Sequence, residues 1–210
     1  MTPIPQRVGK GRRHRRSERR PVGGRLWAAA WLRSPRQVGA LVPSGAHLAF
    51  AMAREVPAGD GWVVELGGGT GSITTGLLKS GIEPDRLVVV ERDPRLAACL
   101  RARFPECRVI CGDACRLPQL LADAGVEGPV RAVVSSLPLL SMAPLRRARV
   151  MRAVSRALNG QGVMVQFTYG VHCPVPSRTL ARVGARAVRT ARIWRNVPPA
   201  SIWRIEPLCM

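Results

Sequence analysis

Short apolar runs alternate with longer stretches of helical period along the middle of the chain. The short runs predict strands and the longer stretches predict helices, in regular order from residue 62 onward. The predicted strands are Trp62–Glu65, Arg86–Glu91, Arg108–Cys111, Val130–Ser135 and Gly162–Tyr169. The predicted helices between them are Ser72–Leu78, Pro94–Phe104, Leu117–Ala122 and Leu145–Leu158. This order predicts an α/β fold with a doubly wound, mostly parallel sheet.

The pattern changes on both sides of this region. Before the first strand, Ser44 precedes an apolar helical stretch and is expected to cap it. After the last long helix, apolar runs at Ala187–Trp194 and Ile202–Ile205 are separated only by a short segment that contains Pro198 and Pro199. No long helix fits between these runs. We therefore predict a terminal hairpin with one strand antiparallel to the rest of the sheet.

The first 36 residues differ from the rest of the chain. Residues 1–24 are rich in Arg and contain almost nothing apolar, so we expect a disordered basic tail. Trp27 and Trp31 then share a helix face, which predicts a short amphipathic helix over residues 25–36. Two placements stay open for this helix: packing on the core, or lying in a lipid interface. Residues 37–210 are expected to form one domain.

The net charge of +20 lies at the two ends of the sequence. Residues 1–36 carry 11 Lys or Arg and one acid, residues 146–210 carry 12 and one acid, and residues 37–145 carry 10 and 11 acids. This distribution favours a large anionic partner, either nucleic acid or an anionic membrane. No apolar stretch is long enough to span a bilayer and no secretory signal is recognisable, so we expect a cytoplasmic protein.

The six cysteines lack the CxxC pairs of a zinc site. Cys107, Cys111 and Cys115 are evenly spaced, which raises the alternative of a ligand set. Residues 107–111 are predicted to form a buried strand, however, and a four-residue step along a strand does not focus thiols on one point. We therefore expect free core thiols, with neither a metal nor a disulfide.

A glycine-rich turn lies between the first strand and the following helix, formed by Gly67, Gly68, Gly69, Thr70 and Gly71. Glycines at this place let a ligand approach the backbone and the helix N-terminus. Such a turn is a weak signal by itself. Its meaning depends on the acidic residues around it.

Acidic residues close the first three predicted strands. Glu65 can receive a cationic amino group, which a phosphate-binding turn would not favour. Glu91 lies 20 residues after Gly71 and can accept both hydroxyls of a ribose. Asp113 follows the third strand and can accept from an adenine amino group. These acids fit a nucleoside with an amino-acid group and no phosphate, which describes S-adenosylmethionine (SAM) better than NAD.

These residues resemble the cofactor motifs of the class I SAM-dependent methyltransferases, over roughly residues 38–206. More narrowly, the chain is similar to the bacterial phospholipid N-methyltransferases in the segments 32–44, 134–142, 166–170 and 194–200. That family implies stepwise methylation of phosphatidylethanolamine to phosphatidylcholine at the inner membrane surface, with a basic N-terminal helix that binds anionic lipid. The resemblance implies further cofactor contacts at Ala114 and Ser135. It implies substrate contacts at Arg36, Ser44, Leu137, Tyr169 and Arg195.

The candidate chemistry is amine methylation. Tyr169, the only tyrosine, lies at the ligand end of the fifth strand, where its ring could contact the amine and stabilise methylated cations. His172 is a candidate proton acceptor, because a protonated amine has no lone pair. The alternatives are a strand-end tyrosine with a satisfied hydroxyl and a surface-loop histidine. The arginines from 178 to 195 lie near the predicted mouth, and the sequence does not choose among them for the lipid phosphate.

The sequence leaves two alternative functions. The fold also resembles ribosomal RNA adenine dimethyltransferases, which carry Asn, an aliphatic residue, Pro and an aromatic after the fourth strand. Here those positions are Ser136, Leu137, Pro138 and Leu139. Ser136 and Leu139 supply neither the amide acceptor nor the stacking ring that a flipped adenine needs, which favours lipid over RNA. The third possibility is a protein that binds SAM or lipid without catalysis.

Overall fold

The structure is a computed structural model that describes residues 43–194 and 198–208, and its centre is a seven-stranded sheet. The strands are β1 (Trp62–Leu66), β2 (Leu87–Glu91), β3 (Arg108–Cys111), β4 (Val130–Ser135), β5 (Val163–Thr168), β6 (Ala185–Ile193) and β7 (Ala200–Pro207). The helices are α1 (Pro43–Ala53), α2 (Ser72–Lys79), α3 (Pro94–Arg103), α4 (Leu117–Asp123), α5 (Pro144–Leu158) and α6 (Ser177–Arg182). The predicted elements from residue 62 onward are confirmed to within two residues at each end.

The strand order is β3-β2-β1-β4-β5-β7-β6. Strands β1 to β5 are parallel, and β7 pairs antiparallel with both β5 and β6. The predicted α/β class and the antiparallel terminal strand are both confirmed. The order reverses between β1 and β4, and in such sheets ligands bind outside the carboxyl ends of the strands at this point.

Helices cover both faces of the sheet. On one face, called the α2 face, Met52, Leu77 and Leu100 from α1, α2 and α3 pack against the strands. On the other face, called the α5 face, the strands are covered by Leu117 of α4, Met151 of α5 and Leu180 of α6. Every residue of β1 and β2 is buried, as expected for parallel strands covered on both faces.

Three details differ from the sequence predictions. Helix α1 begins at Pro43, so Ser44 lies in its first turn and not at the capping position. Strand β3 is an edge strand with Arg108 and Cys111 exposed, which contradicts the prediction of a buried strand. The short helix α6 was not predicted, because a single turn and a half carries too little periodic signal.

The five described cysteines are free thiols, but they are not all in the core. Cys107 is buried, whereas Cys99 and Cys111 are exposed, so the prediction of core thiols is wrong for these two. In residues 43–194 and 198–208, no cluster of His, Cys, Asp or Glu could hold a metal ion. The helices of the same residues include none that is long and apolar enough to cross a membrane.

Several predictions fall on residues outside the described part. These are the basic tail 1–24, the amphipathic helix 25–36, Arg36, Arg195 and Cys209. For Ser44 only the backbone is described. The proposed division into tail, helix and domain therefore stays a prediction.

Candidate active site

The glycine turn joins the carboxyl end of β1 to α2, at the reversal point of the sheet. A Cβ atom on Gly68 would lie 2.5 Å from Val89 Cγ1 and 2.7 Å from Leu100 Cδ1, so only glycine allows α3 to pack this closely. Gly69 has a φ of +53°, and its Cβ direction is open apart from the Gly67 carbonyl oxygen 3.9 Å away. Packing of Gly68 against Val89 and Leu100 therefore fixes the turn, and the space in the Cβ direction of Gly69 stays open.

Glu91, the last residue of β2, holds this turn in place. One carboxylate oxygen accepts from the Gly69 backbone N–H at 2.9 Å, and the other accepts from the Asp93 backbone N–H at 2.8 Å. The side chain is nearly buried. Each oxygen keeps a second lone pair, so the predicted role toward ribose hydroxyls is compatible with this geometry.

Glu65 is completely buried on the α2 face below the turn. Thr74 of α2 donates its hydroxyl to Glu65 Oε2 at 2.6 Å, whereas Oε1 has no hydrogen-bond partner among the described residues. Burial raises the pKa of Glu65 to about 8, the Thr74 hydrogen bonds lower it in part, and nearby Glu91 raises it further. A buried acceptor without a donor is costly, so this atom fits the cationic amino group that the sequence predicts.

Asp113, after β3, accepts from the Cys115 backbone N–H at 3.0 Å and pairs with Arg146 of α5 at 2.8 Å. Burial raises the pKa of Asp113, but the Cys115 hydrogen bond and the Arg146 charge lower it more, so the carboxylate stays ionised. The Arg146 pair was not predicted, because the two residues are 33 positions apart. Ala114 beside Asp113 is buried. The adenine contact of both residues stays a prediction.

The segment after β4 packs directly on the glycine turn. The Ser136 hydroxyl donates to the Gly67 carbonyl oxygen at 2.5 Å, and a Cβ on Gly67 would lie 3.1 Å from Leu137 Cδ2. Ser135 Oγ accepts from the Leu137 N–H at 3.3 Å. Leu139 is 1% exposed and belongs to the core of the α5 face. The structure thus places Ser135 and Leu137 close to the turn, and their contacts with cofactor and substrate stay predictions.

An apolar rim lies beside this segment at the carboxyl ends of β4 and β5. Tyr169 directly follows β5, and its ring packs edge-to-face on Phe167 with 5.4 Å between the ring centroids. Leu140 Cδ1 would lie 4.0 Å from a Cβ on Gly170, so Leu140 borders the Tyr169 segment. Leu140, Tyr169 and Val171 are 50%, 38% and 43% exposed. His172 continues this rim and is exposed.

The sequence predicted no individual role for Thr74, Arg146 or Gln166. Gln166 of β5 is 1% exposed, and its Nε2 donates to the Leu137 carbonyl at 3.1 Å and to the Phe167 carbonyl at 2.7 Å. Its signal in the sequence is a polar residue inside the otherwise apolar run of β5. Gln166 and Ser135 therefore hold Leu137 from two neighbouring strands.

The basic residues from Arg178 onward lie on α6 and on the two faces of the β6–β7 hairpin. Arg186 pairs with Glu206 at 2.7 Å, and Arg204 lies 3.2 Å from the same carboxylate. Arg178, Arg182 and Arg189 are exposed, and Arg192 is half-buried with its guanidinium 4.1 Å from the Trp194 ring centroid.

The chain is similar in sequence and in fold to known methyltransferases. No family model matches the sequence. The chain is similar to an ornithine lipid N-methyltransferase of Singulisphaera acidiphila, with 34% identity over 152 residues that span 68% of this chain and 76% of that protein.

Solved structures share the fold. A TehB-like SAM-dependent methyltransferase from Corynebacterium glutamicum superposes with a TM-score of 0.55 at 20% identity, covering 87% of this chain and 97% of that one. A 1,6-didemethyltoxoflavin-N1-methyltransferase from Burkholderia thailandensis, with bound S-adenosylhomocysteine, gives 0.60 at 15% identity over 90% and 93%. The glycopeptide N-methyltransferase MtfA in complex with SAM gives 0.60 at 14% identity over 79% and 95%.

Proposed function

Because the chain belongs to the family of SAM-dependent lipid N-methyltransferases that includes the Singulisphaera ornithine lipid enzyme, we propose that it methylates the amine of phosphatidylethanolamine. The methyl groups are added in steps that lead to phosphatidylcholine, at the cytoplasmic surface of the membrane. The protein is a SAM-dependent N-methyltransferase with the class I fold, and SAM is its cofactor.

The observation that supports a lipid substrate is the apolar rim of Leu140, Tyr169 and Val171 at the carboxyl ends of β4 and β5. Exposed apolar side chains that cluster at a site mouth are typical of surfaces that contact lipid or another apolar partner. The basic ends of the sequence add attraction to an anionic membrane surface. Arg36, Ser44, Leu137 and Arg195 stay proposed substrate contacts by resemblance.

The alternative of an RNA adenine methyltransferase is less well supported by the segment after β4. Ser136 is engaged with the Gly67 carbonyl, and Leu139 is buried in the core, so neither residue faces a base. An aminoalkyl group has a localised lone pair after deprotonation and does not need the amide acceptor or the stacking ring that an adenine amine requires. This arrangement therefore favours an alkyl amine.

A second candidate substrate is ornithine lipid, the lipid named for the 34% identical relative. Its head group also presents a terminal alkyl amine close to an anionic oxygen, here that of a carboxylate. The same apolar rim would contact its acyl chains. The two lipids therefore demand the same chemistry at the amine and differ in the anion.

The residues have distinct proposed tasks in the reaction. The substrate amine must be neutral and aligned with the methyl group that SAM supplies, because displacement at a sulfonium depends mainly on alignment. Glu65, Glu91 and Asp113 hold the cofactor beside the glycine turn, together with Ala114 and Ser135. Tyr169 contacts the amine, and His172 accepts its proton.

The proposal is tested by incubating the full chain with methyl-labelled SAM and one of three substrates. These are phosphatidylethanolamine vesicles, ornithine lipid vesicles and total RNA. We expect label in the phosphatidylethanolamine fraction. Label only in ornithine lipid would change the substrate, and label only in RNA would refute a lipid function. No label with intact SAM binding would support a non-catalytic binding protein.

Tyr169 is expected to act through its ring. Tyr169→Ala should lower turnover about tenfold, because a cation–π contact to the methylated amine is lost. Tyr169→Phe keeps the ring and should retain most of the activity. Initial rates with phosphatidylethanolamine vesicles, at a SAM concentration that saturates both variants, measure the effect. Unchanged turnover in both variants would remove Tyr169 from the site.

A further inference from the structure

Three neighbouring strands carry buried polar atoms without partners. Gln166 Oε1 on β5, Trp203 Nε1 on β7 and Arg192 Nε on β6 are inaccessible to solvent and have no hydrogen-bond partner among the described residues. A buried donor or acceptor without a partner costs about 1–3 kcal/mol. Three such atoms on adjacent strands therefore indicate a place where a ligand or ordered water supplies the missing bonds.

The three side chains lie on the same face of the sheet. Gln166 is the direct register partner of Trp203, and Arg192 is the partner of Ser201, two residues before Trp203. Met164 and Ile205 pack in the core of the α5 face, so Gln166 and Trp203 point there by alternation. Ala191 and Ile193 pack toward the α2 face, which places Arg192 on the α5 face as well.

The group lies next to the candidate active site. Gln166 also donates to the Leu137 carbonyl through Nε2, so this β5 side chain contacts the segment after β4 that packs on the glycine turn. Thr168, the residue before Tyr169, pairs with Ser201, which in turn pairs with Arg192. The three atoms thus extend across β5, β7 and β6, from Gln166 beside Leu137 to Arg192 opposite Ser201.

The chemistry of the atoms defines the ligand. Trp203 and Arg192 offer N–H donors, one of them charged, which together suit an anionic oxygen. Glu206 is the only acidic residue after Glu127, and it pairs with Arg186 and Arg204 on the opposite face. The strands β5, β6 and β7 therefore supply no carboxylate to Arg192. Gln166 Oε1, in contrast, can only accept, which suits an ammonium or amine N–H.

From these observations, and resting on the proposed function, we propose that Gln166, Trp203 and Arg192 form the head-group subsite of the enzyme. Trp203 and Arg192 bind the anionic oxygen of a zwitterion, and Gln166 accepts from its amine. The shared chemistry is an alkyl amine a few bonds from an anionic oxygen. Phosphatidylethanolamine supplies it with a phosphate and ornithine lipid with a carboxylate.

The first test compares kinetic constants. Arg192→Gln removes the charge, and Trp203→Phe removes the indole N–H while keeping an aromatic ring. Each should raise the KM for lipid vesicles about tenfold, because one hydrogen bond to a charged group is lost. The dissociation constant for SAM and kcat should be unchanged, which also shows that the variants fold. Arg186→Gln is the matched control on the same strand, with its side chain on the opposite face.

The second test does not depend on turnover. The indole N–H resonance of Trp203, assigned with Trp203→Phe, is followed by NMR while soluble head groups are added. Glycerophosphoethanolamine or Nα-acetylornithine should shift it, and the larger response identifies the source of the anion. Ethanolamine, which has no anionic oxygen, should leave it in place.

The outcomes separate this proposal from the proposed function. If lipid is methylated but Arg192→Gln and Trp203→Phe behave like Arg186→Gln, the subsite is refuted and the function stands. If no lipid is methylated, the proposed function is refuted. The response of the Trp203 indole resonance to the soluble head groups then tests the subsite by itself. A resonance that does not move with either zwitterion, or moves equally with ethanolamine, means that the three atoms hold ordered water only and overturns the proposal.

Discussion

Glu65→Gln is expected to remove a strong pH dependence of the protein's stability. The native pKa of Glu65 is about 8, compared with 4.5 for an exposed glutamate, so the native state keeps a proton that the unfolded chain releases. The stabilising effect of the protonated carboxyl is complete below pH 4.5 and is lost as the pH rises through about 8. In this window the free energy of unfolding of the wild type should fall by about 1.4 kcal/mol per pH unit relative to the variant.

Denaturant unfolding across the same pH window measures this difference. The variant should gain stability over the wild type steadily as the pH rises, because its amide does not ionise. Glu106→Gln is the control, since Glu106 is exposed and should follow the wild type. Parallel pH profiles of the wild type and Glu65→Gln would contradict the assignment of a buried, protonated carboxyl.

The same substitution tests the proposed cofactor contact. If the SAM ammonium binds ionised Glu65, the affinity of the wild type for SAM should rise about tenfold per pH unit below the pKa of Glu65. Glu65→Gln has no carboxyl proton to release when SAM binds. The pH dependence of its affinity for SAM therefore reports only the titration of SAM itself. Calorimetry in two buffers of different ionisation enthalpy counts the released proton. Equal proton release in the two proteins would place the ammonium elsewhere.

Glu91→Ala is expected to have the largest effect on SAM binding. The substitution removes the acceptor of the Gly69 and Asp93 backbone N–H groups and, in the proposed complex, the acceptor of the ribose hydroxyls. Hydrogen bonds to a charged group contribute about 1.5–3 kcal/mol each, so a loss of affinity on the order of a hundredfold or more is expected. Titration calorimetry at one pH measures it.

Glu91→Gln serves as the matched variant, because its amide retains one acceptor oxygen. It should bind SAM with an affinity between those of the wild type and Glu91→Ala. Circular dichroism of both variants shows whether the sheet is intact. An Ala variant that is folded and binds SAM within threefold of the wild type, roughly 0.7 kcal/mol, would exclude Glu91 from the cofactor site.

The positions of the glycine turn and of its acidic residues could be predicted from the sequence because these features are local. The glycine turn, Glu65 and Glu91 each lie at the end of a strand that apolar runs mark clearly. Parallel strands bring such ends to one edge of the sheet, so position along the chain is enough to place them. Burial of β1 and β2 on both faces follows from the same apolar runs.

The wrong or missing predictions concern residues whose burial and partners depend on neighbouring strands and helices. The run at β3 is as apolar as a buried strand, but the strand occupies the edge of the sheet, so Cys111 faces solvent. The Asp113–Arg146 pair joins a residue that follows β3 to a residue of α5, and only the folded sheet brings the two together. Side-chain partners of this kind depend on strand order and helix placement, which a single sequence does not specify.

The proposed head-group subsite was less predictable for a related reason. Arg192 is one of six arginines between residues 178 and 195, and nothing in the sequence separates it from Arg186. The strand register does so, because it pairs Arg186 with Glu206 and sets Arg192 opposite Ser201. A bulge near Arg189 and Ala191 changes which side chains of β6 face α5. Simple alternation along the sequence would therefore have assigned the faces wrongly.

The position of β7 also bears on how the protein is made. This strand lies between β5 and β6, although both precede it in the chain. During synthesis the backbone edge of β5 stays unpaired until residues 200–207 have left the ribosome, and such an edge can pair with other chains. The glycine turn and its acids belong to strands that can already have assembled by then. A nascent chain would accordingly acquire its cofactor-binding half before Trp203 reaches Gln166.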